Sequence, residues 1–210
     1  MTQEERQKRS KETIYQAALE EFGANGYDHV TMESICSRHR ISKGMMYHYY
    51  SSRDELFLLC VERTFSDLKT YIEQNGDQLA EKPPLDAIRD FFLLREGYFQ
   101  LHPQQKMIFE TAMLHPPRHL GEEIRSLRAP IRSLNRQFIS RLIKRMSLRP
   151  GLDPDKAARY LEEAQSFLQN SLKSYQEHGD ETDISSMLEI VEELLDMILF
   201  GVFQPGNPSD

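Results

Sequence analysis

The stretch Thr31–Phe57, TMESICSRHRISKGMMYHYYSSRDELF, holds three helix starts in quick succession. Thr31, Ser42 and Ser52 each carry a side-chain oxygen able to cap the first orphan amides of a helix. After Thr31, the apolar residues Met32, Ile35 and Cys36 recur at helical spacing and predict a short helix with an inward face. A second short helix is predicted from Ser42. A long one is predicted from Ser52 to about Asn75, with Ser52 and Glu55 as a capping box. Upstream, Ile14, Ala17, Ala18 and Phe22 form one stripe of a first helix, with Thr2-x-x-Glu5 as its capping box and Gly26 as its stop.

Two short amphipathic helices joined by a tight turn, after a longer first helix, make the pattern of a helix-turn-helix module. At about 100° per residue, Met46, Tyr49 and Tyr50 of SKGMMYHYY fall on one side. Gly44 and His48 are centred opposite, with Lys43 and Tyr47 on one shoulder and Met45 on the other. Gly44 lets the backbone approach a neighbouring surface. Lys43 and the Tyr47 hydroxyl can reach phosphate oxygens, and His48 and Met45 can reach base edges. Core packing alone also produces such an aromatic stripe, so periodicity leaves both readings open.

The remainder reads as helix as well. Prolines mark off segments at roughly 85–101, 104–114 and 120–148, the last carrying Pro130, and Asp153-Pro154 reads as an N-cap and N1 pair. No alternating strand pattern is found. The expectation is an all-α chain of about nine helices, with a DNA-binding module over 1–51 and a larger helical domain over 52–210. Of the 210 residues 39% are hydrophobic and 28% charged, which suits a globular protein. No apolar run approaches the roughly 18 residues of a membrane helix, and Cys36 and Cys60 have neither zinc nor disulfide-framework spacing. A cytoplasmic location is expected.

The formal charge is -7, which taken alone argues against a generic polyanion binder. It is unevenly laid out. Residues 1–56 carry 8 basic and 9 acidic side chains, residues 118–149 carry 9 and 2, and residues 150–210 carry 3 and 13. The module is close to neutral, and the acid lies elsewhere.

From Thr13 to about Phe57 the chain resembles the DNA-binding domain of the TetR (tetracycline-repressor-like) regulators. The resemblance rests on Ile14, Ala17-Ala18, Phe22, Gly26-Tyr27, Thr31, Ile35, Ser42-Lys43-Gly44, Tyr47, Tyr49 and SSRDELF at 51–57. It implies that Thr31 caps the second helix and touches a phosphate, and that Lys43, Gly44, Met45, Tyr47 and His48 line the recognition helix. Arg40 and Ser42 precede that helix in the expected DNA-facing set, and Arg53, where the family usually has Lys, would contact backbone phosphate. Arg40 also stands where the family turn often has Gly, so either the turn differs or Arg40 adopts the left-handed conformation. Cys36 and Tyr50 replace a usual Ala and Phe.

The resemblance further implies a homodimer on a roughly palindromic duplex and a small-molecule effector pocket in the larger domain. Apolar candidates for that pocket are Phe91, Tyr98, Met107, Phe109, Met113, Phe138 and Phe167. The last two helices are apolar on more than one side, and Leu168, Leu172, Leu188, Val191, Leu195 and Ile198 are the expected dimer contacts. Arg125, Arg128, Arg132 and Arg136 make a stripe that reads either as an anion site or as a face paired with acids. His115 and His119 flank two prolines, without a regular ligand spacing. No metal, cofactor or catalytic constellation is expected. The function these features imply is a repressor released by an effector, and the alternative is a helical ligand-binding protein whose helix-turn-helix serves packing only.

Overall fold

A computed structural model describes residues 2–146, 148, 151 and 153–157. Every regular element among them is helical: α1 (Gln3–Asn25), α2 (Met32–Arg38), α3 (Lys43–Tyr49), α4 (Arg53–Asn75), α5 (Pro84–Leu101), α6 (Pro103–Leu114) and α7 (Gly121–Ile143). Short 3-10 turns occupy Asp77–Glu81 and Arg118–Leu120. One compact unit comprises Met1–Ile72 and Arg95–Ile131, and a second comprises Glu73–Leu94 and Arg132–Asp210.

Local chemistry accounts for the helix boundaries. In α1, Thr2 Oγ1 accepts from the Glu5 amide at 3.2 Å while the Glu5 carboxylate accepts from the Thr2 amide at 2.7 Å, the expected reciprocal box. Gly26, at φ 71°, ends the helix with its N–H on the Phe22 carbonyl. Thr31 caps α2 in a box whose second partner is Ser34, with both bonds at 3.0 Å. Ser42 caps α3 through the Met45 amide. At α4 the expected box changes in one arm. Ser52 Oγ accepts from the Glu55 amide, but the Glu55 carboxylate turns to the amide and hydroxyl of Ser51.

The turn between α2 and α3 resolves the question posed by Arg40. Its φ is 55°, the left-handed region. The Ile41 amide reaches back to the Cys36 carbonyl at 3.0 Å, the six-to-one bond of a Schellman ending. A non-glycine residue there costs about 1–2 kcal/mol, offset in part by burial of Ile41 at the next position.

Ile14, Ala17, Ala18 and Phe22 are buried as their spacing requires, and with Val30, Ile35, Met46, Leu56 and Phe57 they build the core of the N-terminal module. Phe57 sits edge-on to Phe22 at 5.2 Å and 4.9 Å from the Tyr27 ring. Glycine is required at Gly23, where α1 meets α6: a Cβ there would lie 2.7 Å from the Gln104 Cα. Cys36 and Cys60 are buried, and burial pushes the Cys60 thiol up to about 12. Both are core residues.

One expected segment shifts at both ends. The segment expected over 120–148 begins as the 3-10 turn and runs as α7 only to Ile143. Pro130 lies inside α7 without ending it. Asp153 caps the next start as expected, its carboxylate accepting from the Asp155 amide at 2.8 Å.

Candidate nucleic-acid interface

The second helix of the module divides its side chains as the 100° count predicts. Met46 is fully buried, and Tyr49 and Tyr50 are half-buried. Ser42, Lys43, Gly44, Tyr47 and His48 are exposed, and Met45 is half-buried on the shoulder. Among the described residues, nothing lies within 4 Å of the position a Cβ would take at Gly44. The fold itself therefore does not demand glycine there, and the backbone is open to a partner. His48 stacks edge-on to Tyr49 at 4.7 Å, which limits its ring orientations.

Lys43 and Tyr47 converge on one carboxylate that sequence reasoning had not singled out. Glu33, in the first turn of α2, lies 3.6 Å from Lys43 Nζ and accepts from the Tyr47 hydroxyl at 3.3 Å. A backbone amide bond, then Lys43 and Tyr47, hold its carboxyl below the usual range. Desolvation and the Glu33 charge push the Tyr47 hydroxyl up, so it stays a donor at neutral pH. A signal did exist in the sequence: a Thr31 cap places residue 33 in the first turn, where the helix dipole favours an acid.

Thr31 is exposed, with its hydroxyl engaged as the α2 cap. Arg40 is exposed on the turn. Arg53 is tied down more than expected. Its guanidinium lies 4.2 Å from the Tyr27 ring centroid and donates to the Val30 and Tyr27 carbonyls at 3.2 and 3.5 Å. Three further basic groups nearby have acid partners. Arg38 and His39 meet the buried Glu21 at 2.9 and 3.2 Å, and Arg63 meets Glu12 at 2.7 Å.

Behind Arg53 runs a polar link to the 118–120 turn. The Tyr27 hydroxyl donates to one oxygen of Asp54 at 2.6 Å, and His119 Nε2 lies 2.8 Å from the other. The Tyr27 bond, followed by His119, holds the Asp54 carboxyl below its usual range. This gives His119 a structural partner. Among the described residues no cluster of three metal-ligating side chains occurs.

The expected pocket residues fall into separate groups. Phe91 and Phe138 stack at 4.3 Å in the second unit. In the first unit Phe99 links the buried Tyr98 to Phe109, with ring centroids at 5.4 and 4.8 Å. Met113 is half-buried and Met107 is 39% exposed. Phe167 and the expected dimer contacts Leu168, Leu172, Leu188, Val191, Leu195 and Ile198 lie outside the described residues. Of the arginine stripe, Arg125 pairs with Glu122 at 2.7 Å on an exposed face, Arg132 and Arg136 are exposed, and Arg128 is half-buried. No helix among the described residues is long and apolar enough to cross a membrane.

Residues 14–60 match the family described as bacterial regulatory proteins, tetR family. The chain is 26% identical over 121 residues to the HTH-type transcriptional repressor NicS of Pseudomonas putida, covering 58% of this chain and 56% of that protein. It is 26% identical over 117 residues to the negative regulator IcaR of the Staphylococcus epidermidis icaADBC biofilm operon, covering 53% and 62%. The chain thus spans little more than half the length of these relatives. Among solved structures it is similar to SmeT, the repressor of the Stenotrophomonas maltophilia efflux pump SmeDEF, at TM-score 0.59 and 21% identity over 95% of this chain and 94% of that one. A SmeT–triclosan complex gives TM-score 0.62 at 19% identity, covering 96% of each. These likenesses establish the fold.

Proposed function

We propose that this chain, a tetR-family member through its residues 14–60, is a sequence-specific DNA-binding transcriptional regulator that acts as a repressor. The observation that carries the reading is α3, which buries Met46 and turns Lys43, Gly44, Tyr47 and His48 outward with none of the described residues packed over Gly44. Lys43 and Tyr47 serve as phosphate contacts, with Thr31, Arg40, Ser42 and Arg53 placed around them. His48 and Met45 read base edges. Residues 1–51 do the reading, and residues 52–210 hold the effector and the dimer contacts.

A single module reading a few base pairs binds weakly, so the working unit is a homodimer on a roughly palindromic site. Its half-sites would be about 34–36 Å apart. Leu168, Leu172, Leu188, Val191, Leu195 and Ile198 supply the interface, and charged substitutions at Leu195 and Ile198 should yield monomers by light scattering. The effector binds within the first unit, beside Tyr98, Phe109 and Met113. The triclosan bound to SmeT supports a small apolar molecule in a fold of this kind. Release from DNA then requires that the effector prefer the conformation that fits the operator poorly. The chain carries out this work in the cytoplasm, without enzymatic activity.

Electrophoretic shift of duplex from the chain's own upstream region tests the reading. Retardation should be sequence-selective and fall with salt. A folded protein that retards no duplex selectively would favour the ligand-binding alternative, in which the helix-turn-helix only packs.

A further inference from the structure

The turn between α6 and α7 reaches back to the start of α2 through His119, Asp54, Tyr27 and Arg53. Pro116 and Pro117 precede the turn, with φ fixed by their rings. Its last residue, Leu120, is buried at 5% exposure, with its N–H on the Pro117 carbonyl at 2.9 Å. The turn is therefore anchored, and it presents His119. All of these residues belong to the first unit.

Asp54 takes up the imidazole. One of its oxygens accepts from the Tyr27 hydroxyl at 2.6 Å, and the other lies 2.8 Å from His119 Nε2. The Nε2–H that donates is present in the imidazolium and in one neutral tautomer, so the bond does not require a charged ring. The Tyr27 bond, then His119, hold the Asp54 carboxyl below its usual range, and it is ionised at neutral pH. Arg53, its neighbour in the chain, brings only Nε near, at 3.9 Å, the outer limit of an ion pair. The Arg53 Nη1 donates instead to the Val30 carbonyl at 3.2 Å and the Tyr27 carbonyl at 3.5 Å. Those carbonyls belong to the loop that ends at Thr31, the cap of α2.

An arginine beside an ionised aspartate ordinarily bonds to it, because a charged acceptor gives the stronger hydrogen bond. Here both carboxylate oxygens are already engaged, and the guanidinium goes to neutral carbonyls. Removing His119 leaves one Asp54 oxygen to be claimed by Arg53. A guanidinium drawn there gives up the Val30 carbonyl and loosens the start of α2.

We infer that His119 is a positioning residue for the DNA-reading helices: by occupying Asp54 it keeps Arg53 on the loop that starts α2, and so holds α2 and α3 in the arrangement a duplex meets. It acts without touching the duplex. This rests on the regulator reading above, and it adds a residue of the larger domain to the determinants of DNA affinity.

The test compares wild type, His119→Ala, His119→Gln, Asp54→Asn and the double variant His119→Ala/Asp54→Asn. Each is titrated with the duplex that wild type retards selectively, and each is melted at fixed ionic strength and protein concentration. His119→Ala should bind about two- to fivefold more weakly, the scale of one exchanged exposed ion pair. His119→Gln keeps an N–H for Asp54 and should bind as wild type does. The double variant should regain wild-type affinity, because a neutral amide at position 54 no longer draws Arg53 away. It should nevertheless melt below His119→Ala, because the Tyr27 hydroxyl has lost its ionised acceptor. Affinity and stability then move in opposite directions, which a merely structural His119 would not produce. Wild-type affinity in a folded His119→Ala protein, equal losses in the His119→Ala and His119→Gln proteins, or a double variant as weak as His119→Ala would each overturn the assignment. A crystal structure of free His119→Ala decides the point without DNA: Arg53 should lie on Asp54 and off the Val30 carbonyl, and an unmoved Arg53 would refute it. If wild type retards no duplex selectively, the regulator reading fails and takes the DNA role of His119 with it, whereas selective retardation beside an unmoved Arg53 sinks this inference alone.

Discussion

Replacing Tyr27 with Phe removes one hydroxyl and leaves the ring. The ring keeps its packing on Phe57 and its place under the Arg53 guanidinium, so the measured change isolates the bond to Asp54. At 2.6 Å that bond lies in the range of hydroxyl donors to ionised acceptors, for which the net contribution is about 1.5–3 kcal/mol. The Asp54 side chain is 35% exposed and keeps His119 at 2.8 Å, so water and the imidazole compensate in part. We therefore expect a loss near the lower end, about 1–1.5 kcal/mol. For a chain of this length that is a fall of about 2–6 °C in melting temperature, read by calorimetry at fixed protein concentration. The effect carries a pH signature. Because the Tyr27 bond depresses the folded pKa of Asp54 below 3.8, its contribution is fully present above that value and lost as pH falls through the folded pKa. The gap between wild type and Tyr27→Phe should be flat from neutral pH to about pH 5 and close below about pH 4. A gap under about 0.5 kcal/mol, or one unchanged well below pH 4, would show that the hydroxyl does not act through the ionised carboxylate.

Other expectations concern the interface and its supports. Lys43→Ala and Tyr47→Ala should weaken binding to all duplexes alike, Lys43→Ala also lowering the salt slope by about 1, whereas His48→Ala should change the preferred sequence; identical behaviour in binding titrations would refute the division into phosphate and base contacts. Glu33→Gln should raise affinity for every duplex, since it frees Lys43 and Tyr47 and removes a negative charge beside them, and a fall in affinity would mean that Glu33 positions those groups productively. Arg40→Gly relieves a left-handed residue and should raise stability by roughly 1 kcal/mol in thermal melts while weakening DNA retardation. Gly23→Ala places a methyl against the Gln104 backbone and should lower stability by about 1–3 kcal/mol, a cost that chemical denaturation would detect and that a silent variant would contradict.

The parts of the fold legible in the sequence are those set by short-range rules. Thr2, Thr31, Ser42 and Ser52 cap where their chemistry places them, and Met46 is buried because a seven-residue helix with one apolar stripe has one way to pack. What escaped the sequence depends on residues far apart in the chain. Glu33 faces α3 only once the Arg40 turn has set the angle between the two helices. His119 finds Asp54 across 65 positions, so two histidines flanking prolines offered no hint of their partner. The four arginines of α7 stand out in the sequence because they form a stripe. Of those four, Arg125, Arg132 and Arg136 are exposed and Arg128 is half-buried, a distinction that depends on which stripe of α7 faces inward.

Net charge misleads for a related reason. The module's 8 basic residues suggest an even electrostatic footprint, yet Arg38 is held by buried Glu21 and Arg53 by backbone carbonyls and the Tyr27 ring. Such groups fix the angle at which α2 and α4 meet the rest of the module. Besides Arg6, Lys8, Arg9 and Lys11, exposed on α1, what remains for a duplex is the pair Arg40 and Lys43, a few residues apart at the entrance to α3. Screening over about 8–10 Å at physiological salt makes that local cluster, rather than the molecular total of -7, the field a phosphate meets. Glu33 then acquires a specific consequence. In the absence of DNA it occupies Lys43 and Tyr47, so their contact with any duplex would require exchanging one carboxylate for one phosphate. Because that cost is the same for every duplex, it would lower affinity without changing the ratio between sites, and discrimination would be left to His48 and Met45.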